Sequence, residues 1–248
     1  LSQPTLMIRG ANDVDEFAAM MNATGREAHI EQLSLEPFRA DVWLADFGAL
    51  HVSFCQFGGP MHHPGVKCQH FLHFDTLLAV GPGPNRIHGH AADGQQLFSF
   101  DPQRASDTIL SAGSLIGNVL VSQDVFFATC QAMRRDDLNA QFLRSDIVYL
   151  PSSLSTYQHY LREILQLIQQ RSPLLSQPDY RHMLLGDLVP LLTDAIPRQK
   201  STPLPAVPLY QRAQLARRAR DYIHARLDQP LTLKDIYTAI GTSRRTLY

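Results

Sequence analysis

The sequence has few of the features that mark secreted or membrane proteins. Its 248 residues include only three cysteines, at positions 55, 68 and 130, and their spacing matches neither a disulfide framework nor a C-x-x-C motif. No apolar run approaches the ~18 residues that are needed to cross a bilayer. We therefore expect a cytoplasmic protein with reduced thiols and no membrane partner.

Patterns that indicate catalysis are also missing. Ser111 and Ser114 stand three residues apart, but neither lies in a nucleophile elbow or beside an oriented base. No glycine-rich stretch opens a predicted helix in the way that a phosphate-binding loop does. These absences favour a protein that is not an enzyme and that carries no cofactor.

Charge is distributed unevenly along the chain. The formal net charge is −1, but residues 209–248 hold eight basic and three acidic side chains, whereas the other 208 residues hold fourteen and twenty. A small basic segment on a mildly acidic body is typical of a nucleic-acid-binding module joined to a domain that does not bind phosphate. The asymmetry favours DNA over a membrane surface as the partner.

The first half of the chain has the pattern of antiparallel β-structure behind one short helix. Asp13, with Glu16 three residues later, predicts the start of that helix. From about residue 28 to residue 122 the hydrophobic period is two, and Gly/Pro clusters separate the runs. The predicted strands are 38–44, 50–57, 71–80, 96–100, 108–110 and 115–121. Many short strands at close spacing predict a sandwich or a barrel.

After residue 122 the period becomes helical. Ser122 and Asp124 predict the start of one helix, and the next predicted helix carries an apolar stripe: Leu154, Tyr157, Leu161, Ile164, Leu165 and Ile168. Periodicity does not distinguish a stripe that packs on its own domain from a dimer seam; we predict that part of it is buried across a two-fold interface. A third helix is expected near 180–196, and the four prolines of 197–208 predict a linker.

The last eighteen residues have the pattern of a helix-turn-helix. One helical face carries Leu233, Ile236 and Ile240. Gly241 predicts the end of that helix, and Ser243 predicts the cap of a second helix that opens with basic and polar residues. Such a second helix is typically placed in the DNA major groove. Any two short helices around Gly-Thr-Ser give a similar pattern, so the motif alone leaves a purely structural interpretation open.

Residues 218–247, RARDYIHARLDQPLTLKDIYTAIGTSRRTL, resemble the start of the DNA-binding region of the AraC/XylS family of bacterial transcription regulators. The resemblance implies two helix-turn-helix units, of which only the first part is present before Tyr248, so we expect the sequence to be a piece of a longer protein. Tyr237 departs from the family pattern, which prefers a small residue there. A weaker, gapped resemblance relates the DVDEFAAMM helix and the SAGSLIGN turn to the cupin-like jelly-roll sensor domains of the same family.

The resemblance also implies residue roles in DNA binding. The predicted set is Arg245, Tyr248, Arg244, Ser243, Thr246 and Thr232. Arg245 and Tyr248 lie on the exposed early face of the second helix, and Arg245 is expected to read guanine because its planar fork matches the O6/N7 acceptors. Arg244, Ser243 and Thr232 are expected to contact phosphates.

Histidines are concentrated in one part of the chain, with seven of the eleven between residues 51 and 90. His88 and His90 resemble the first metal motif of cupins, and alternation along a strand places both on one face. The cupin glutamate and the second-motif histidine are missing, however, and Gly89 among nearby prolines indicates a loop. We therefore expect no metal and interpret these histidines as surface or loop residues. His88 and His90 remain the candidate ligands of an alternative, a metal-dependent cupin-type enzyme.

These patterns predict an α+β protein. Its expected segments are a cupin-like antiparallel β-barrel (jelly roll) that senses an effector in 1–122, a helical linker and dimerisation region in 123–196, the linker 197–208, and part of a helix-turn-helix domain in 209–248. The expected function is sequence-specific transcription regulation, with operator DNA, a small-molecule effector and a second copy of the chain as partners and RNA polymerase as a further candidate. Besides the metal-dependent enzyme, the alternative is a pure dimerisation module, whose barrel would be filled and without polar groups in a cavity.

Six aromatic residues accompany the predicted strands: Phe54, Phe57, Phe71, Phe74, Phe98 and Phe100. Apolar rings in strands are usually core residues, and we expect that role here. A pocket inside the barrel can still hold a small effector, with some of these rings in its wall.

Overall fold

The computed structural model describes residues 5–23, 27–149, 154–198, 218–227, 229 and 231–241. The chain divides into two compact units, Leu1–Thr202 and Pro203–Tyr248. The division falls within the segment predicted as a linker, of which residues 199–208 lie outside the described part of the chain. Within the described residues, no helix is both long and apolar enough to cross a bilayer.

The first unit contains two antiparallel sheets. Sheet A has the spatial order β1 (Thr5–Ala11), β4 (Ala40–Asp46), β5 (Leu50–Phe57), β12 (Leu115–Ser122), β7 (Phe71–Ala79), β10 (Gln96–Phe100) and β13 (Ile147–Tyr149). Sheet B has the order β2 (Glu27–Ala28), β6 (Met61–Val66), β11 (Ser106–Leu110), β8 (Arg86–Ile87) and β9 (His90–Ala91), and β3 (Glu31–Gln32) also pairs with β6. The predicted strands are present, and the predicted α+β class is confirmed. The pattern allowed a sandwich or a barrel. The strands form two facing sheets, which is the sandwich arrangement.

Helices precede and follow the strands. Those of the first unit are α1 (Val14–Asn22), α2 (Gln123–Ala132), α3 (Ala140–Leu143), α4 (Leu154–Gln169) and α5 (Pro178–Ala195), with a 3₁₀ turn at Pro173–Ser176. Asp13 caps α1 as predicted, because its Oδ1 accepts from the backbone N–H of Glu16 at 2.7 Å. The helix α2 begins where Ser122 and Asp124 predicted, with Ser122 at its N-cap, but the Ser122 side chain makes no cap hydrogen bond. Ser122 is also the last residue of β12, and its backbone N–H bonds to Ala49 O at 2.9 Å.

Sheet A is the central layer and is buried on both faces. One face packs against α2, α4 and α5, and its core includes Val52, Phe54, Phe74 and Val119, each fully buried. The opposite face packs against sheet B and α1, and its core includes Cys55, Phe57, Met61, Ile116 and Leu110. Strands covered on both faces lose the apolar–polar alternation of a half-exposed sheet, which is why β7 and β10 are buried almost throughout.

The apolar stripe of α4 is buried inside one chain. All six of its side chains are at most 7% exposed, and α4 packs on β1, β4 and β7 and on α5. The prediction that the stripe forms part of a two-fold interface is therefore wrong: it covers the outer face of sheet A. Gly117 on β12 lies under this helix, because a Cβ at that position would stand 3.5 Å from Leu161 Cδ1 and 3.2 Å from Leu78 Cδ1.

A buried polar cluster holds the loop after β7 against the turn before β12. Asn85 Nδ2 donates to the carbonyls of Gly81 and Gly83, and its Oδ1 accepts from the N–H and hydroxyl of Ser111 and from the Ser114 hydroxyl at 2.8–3.1 Å. A buried amide satisfied at both ends is a structural element. The two serines therefore help to fix a loop.

Candidate functional site

A cavity of about 60 Å³ lies between the two sheets and is closed on one side by α1. Its apolar wall is formed by Phe17, Met21, Cys55, Phe57, Met61, Val66, Leu110 and Ile116. Its polar wall is formed by His63, Lys67, His73, Asp75, Ser106, Thr108 and Asn118. A mixed wall of this kind, apolar with a few convergent polar groups, is typical of small-molecule sites.

The polar wall follows from strand alternation. On β7, His73 and Asp75 share the face toward sheet B, whereas Phe74 between them points toward the helices. Asn118 on β12 pairs directly with Asp75, and on sheet B Thr108 of β11 pairs with His63 of β6. Five polar side chains therefore meet across the space between the sheets.

Lys67, in the loop after β6, is the buried cation of the cavity. It is 5% exposed, and its Nζ donates to Ser99 O at 2.5 Å and to Asp101 O at 3.2 Å. In the described part of the chain, the hydrogen-bond acceptors of this nitrogen are thus two backbone carbonyl oxygens. Burial lowers the pKa of Lys67 to about 8, although the negative charges of Asp75, Asp146 and Asp101 oppose that shift.

A chain of hydrogen bonds runs from Asp75 into the β8–β9 turn. Ser99 Oγ donates to Asp75 Oδ2 at 2.5 Å and lies 3.1 Å from His88 Nε2. Because a hydroxyl has one proton and gives it to the carboxylate here, His88 Nε2–H is the donor to Ser99. A hydrolytic triad has the opposite order, with the serine donating to histidine and histidine to the carboxylate. This arrangement fixes positions and does not activate Ser99 as a nucleophile.

Two residues of this hydrogen-bond network, His88 and Ser99, have positive φ angles. His88 (φ +52) and Gly89 (φ +80) form the two-residue turn between β8 and β9, where a type I′ turn requires positive φ at both positions. Ser99 has φ +95 inside β10, and the strand changes faces there: Phe98 packs between the sheets, whereas Phe100 packs on the helix side. Strained non-glycine residues that persist in a buried cluster are characteristic of ligand-binding and switch regions.

The prediction of surface or loop histidines is only partly right: His70 is exposed and His88 lies in the β8–β9 turn, but other histidines are buried or paired. His73 and His88 are buried, and His73 Nε2 donates to Cys68 O at 3.2 Å. His62 bridges Glu31 Oε2 at 2.7 Å and Asp107 Oδ1 at 2.8 Å. Hydrogen bonds that His62 donates to Asp107 and Glu31 raise the pKa of His62 against the opposing effect of burial. Whether a strand residue points inward or outward decides these environments. The spacing of the histidines in the sequence did not assign that direction.

The two candidate metal ligands have different surroundings. His88 is at the hairpin turn and bonded to Ser99, whereas His90 is the first residue of β9 and half-buried. Burial lowers the pKa of His90. No group of three or more His, Cys, Asp or Glu side chains that could hold a metal ion occurs among the described residues. Within the described part of the chain, no third metal ligand thus lies beside His88 and His90.

The second unit contains α6 (residues 218–224) and α7 (Leu233–Ala239) within its described residues. Thr232 caps α7 and exchanges hydrogen bonds with Asp235 at 2.6–3.2 Å in a complete capping box. Gly241 follows with φ +69, as expected for the predicted end of the helix. Leu233 is 48% exposed, contrary to the predicted buried face, because side chains in the first turn point beyond the N-terminus of a helix.

The other predicted DNA-binding residues lie outside the described part of the chain: Arg245, Tyr248, Arg244, Ser243 and Thr246. Their roles, and the phosphate contact expected of Thr232, stay predictions. Ile236 is half-buried and Ile240 is buried, so these two members of the predicted apolar face are at least partly covered.

Lys67, Asp75, Ser99 and Asn118 are the site residues that sequence reasoning missed. His73 and Asp75 gave a usable signal, because FLHFDTLLA places two polar residues on one face of an otherwise apolar strand. Lys67 lies in a loop, and Ser99 lies where the strand departs from regular alternation. No periodic pattern identifies either of them.

Comparisons with known proteins add one fold-level finding. No family model and no curated protein matches the sequence. Among solved structures, the chain is similar to the AraC-like transcriptional activator CuxR, with 13% identity over 98% of this chain and 87% of that chain and a TM-score of 0.50. The chain therefore shares its fold with an AraC-like activator over nearly its whole length.

Two further similarities are too weak to support an inference. One is to a cupin-2 domain, Rru_A2000 from Rhodospirillum rubrum, with 16% identity over 48% of this chain and 88% of that chain and a TM-score of 0.26. The other is to ToxT from Vibrio cholerae, bound to (E)-4-(8-methylnaphthalen-1-yl)but-3-enoic acid, with 12% identity over 89% of this chain and 73% of that chain and a TM-score of 0.27.

Proposed function

We propose that this chain, which shares its fold with an AraC-like activator, is the sensor and the first DNA-binding segment of a transcription regulator. The fold similarity over 98% of the chain carries the proposal, because it includes both the two-sheet unit and the basic C-terminal unit. In this function the cavity between the sheets binds a small effector, and residues 209–248 contact operator DNA.

The cavity supports a sensor over the two alternatives. A pure dimerisation module predicts a filled interior without polar groups, whereas Lys67, Asp75 and Asn118 line an internal space here. A metal-dependent enzyme needs several converging ligands, and His88 has Ser99 as its side-chain partner at the ring nitrogen Nε2. The apolar stripe of α4 is used inside the chain, so a homodimer, if formed, uses another surface.

DNA recognition supplies the decisive test, in protein from the complete reading frame. Operator candidates are selected from random duplexes, and binding is measured for the unaltered protein, Arg245→Ala and Arg244→Ala. We expect Arg245→Ala to lose about 1–3 kcal/mol of discrimination at one base pair. Arg244→Ala is expected to weaken all sequences alike and to reduce the salt dependence, because it removes a phosphate contact.

Arg9→Ala, an exposed arginine of the first unit, is the matched control and is expected to bind DNA as the unaltered protein does. If Arg245→Ala weakens every sequence equally while Arg244→Ala changes base preference, the two roles are exchanged. If neither substitution changes DNA affinity, residues 231–248 are not a DNA-reading helix-turn-helix.

A further inference from the structure

We propose that the cavity between the sheets binds a short-chain monocarboxylate whose anionic group pairs with the Lys67 ammonium. Only one consequence of this inference, that the acid is the effector, rests on the proposed function. The binding site itself is argued from the geometry of the first unit.

The Lys67 ammonium has fewer partners than it has protons. An ammonium carries three N–H donors, and Nζ of Lys67 has two acceptors among the described residues, the carbonyls of Ser99 and Asp101. Lys67 lines the cavity and is 5% exposed. A buried cation bonded only to carbonyl groups keeps its full charge, and burying such a charge is costly without an anion.

The neighbouring carboxylates are engaged elsewhere. Asp75 accepts from Ser99, Asp146 accepts from Arg104 at 2.5 Å, and Asp101 accepts from the backbone N–H of Gln103 at 2.9 Å. These charges act on Lys67 through space and oppose the lowering of its pKa by burial. An anion that enters the cavity can take the third N–H of the ammonium, beside the two that bond to carbonyl oxygens of the described residues.

The size and walls of the cavity limit the acid. A volume of about 60 Å³ corresponds to roughly four water molecules, which suits a group of about four to six non-hydrogen atoms. Met61, Leu110 and Ile116 can pack against a short alkyl chain, and Thr108 and Asn118 can hydrogen-bond a hydroxyl group. Asp75 adds negative charge to the same wall, so a second carboxylate on the ligand is disfavoured.

Calorimetric titration of the 248-residue chain with three-carbon compounds tests the site. We expect propionate and lactate to bind with a Kd at or below roughly 1 mM, because so few ligand atoms limit the attainable affinity. Propionamide, which has the same shape without the charge, and malonate, which has a second charge, are expected to bind at least tenfold more weakly. Each compound is also assayed by the shift of the thermal unfolding midpoint.

Variants separate the ion pair from simple filling of space. Lys67→Met is expected to lose propionate binding, and Lys234→Met, the exposed lysine of α7, is the matched control that keeps it. Circular dichroism checks that both variants are folded. If Lys67→Met does not fold, Ile116→Phe, which keeps Lys67 and fills the cavity, is the second variant and is also expected to lose binding.

The proposal is overturned if propionamide binds as tightly as propionate, if Lys67→Met keeps propionate binding, or if none of the acids binds to the unaltered chain. These measurements contain no DNA. Their failure leaves the transcription-regulator proposal intact, and loss of DNA binding in the Arg245 and Arg244 experiments leaves the carboxylate site intact.

Discussion

The two faces of sheet A differ in chemistry although the same strands form both. Toward the helices, β5, β7 and β12 present Phe54, Phe74 and Val119, all fully buried. Toward sheet B, the alternate positions of β7 and β12 present Asp75 and Asn118 to a cavity. Burying each large apolar side chain contributes about 1.5–3 kcal/mol, whereas a buried charge costs free energy unless it is paired. Apolar burial on the helix-facing side thus stabilises the unit. The buried charge on the cavity-facing side lowers that stability and gives the cavity a polar wall.

Non-glycine residues with positive φ angles occur both on the cavity-facing side and at the ends of helices. His88 and Ser99, with positive φ and a shared hydrogen bond, both belong to the network that ends at Asp75. Arg134 and Arg171 also have positive φ, but they lie just after α2 and α4, where helices commonly end in the left-handed region. The type I′ turn explains His88, so among the described residues Ser99 is the non-glycine position without such a local explanation, and it lies on the cavity side.

The largest expected effect is on the helix-facing side. Leu161→Ala is expected to lower the free energy of unfolding by about 2–5 kcal/mol, because Leu161 is fully buried over Gly117 and its truncation leaves a cavity. Urea denaturation followed by circular dichroism measures the loss. Gln166→Ala, exposed on the same helix, is the control and is expected to stay within about 0.5 kcal/mol. A loss below that limit for Leu161→Ala would show that α4 is not closely packed on the sheet.

The cavity-facing side is expected to respond to pH through Lys67. Its folded-state pKa of about 8 lies below the ordinary value of 10.5, so the folded chain releases this proton first. Between pH 8 and pH 10.5 the unfolded state binds more protons, and the free energy of unfolding rises with pH by up to about 3 kcal/mol. Below pH 8 the lysine is protonated in both states and adds no pH dependence.

Lys67→Met isolates this effect from the other groups that titrate in alkaline solution. The measured quantity is the difference in unfolding free energy between the unaltered chain and Lys67→Met at a series of pH values from 7 to 10. Above pH 8, the unfolding free energy of the unaltered chain is expected to rise relative to that of Lys67→Met. An unchanged difference across the series would contradict a buried, desolvated ammonium.

The smallest effect is expected at Tyr157, in the otherwise apolar helix-facing core. Its side chain is fully buried, and its hydroxyl has no hydrogen-bond partner among the described residues. Tyr157→Phe removes that hydroxyl and is expected to leave stability unchanged or to raise it by about 1 kcal/mol. Thermal unfolding by calorimetry gives the sign, and a clear loss of stability would show that the hydroxyl is bonded after all.

The sequence predicted the elements well where one period persisted over several turns or residues. The β5, β7 and β12 strands and the α4 helix occur where their apolar spacing placed them, because local sterics and burial of one face determine such elements. It did not predict what covers a face. Part of the α4 stripe was predicted to pack across a two-fold interface, but the whole stripe packs within its own chain, and periodicity is identical in the two cases.

By itself, the sequence determined the strand and helix pattern, the basic C-terminal segment and the helix end at Gly241, since each depends on residues close together in the chain. Only the tertiary structure decided that Lys67 is a buried cation. Its burial and both carbonyl acceptors depend on β10 and the residues after it, more than thirty positions away. A lysine in a loop has no local preference for burial, so its charge became a feature of a cavity only when the two sheets closed around it.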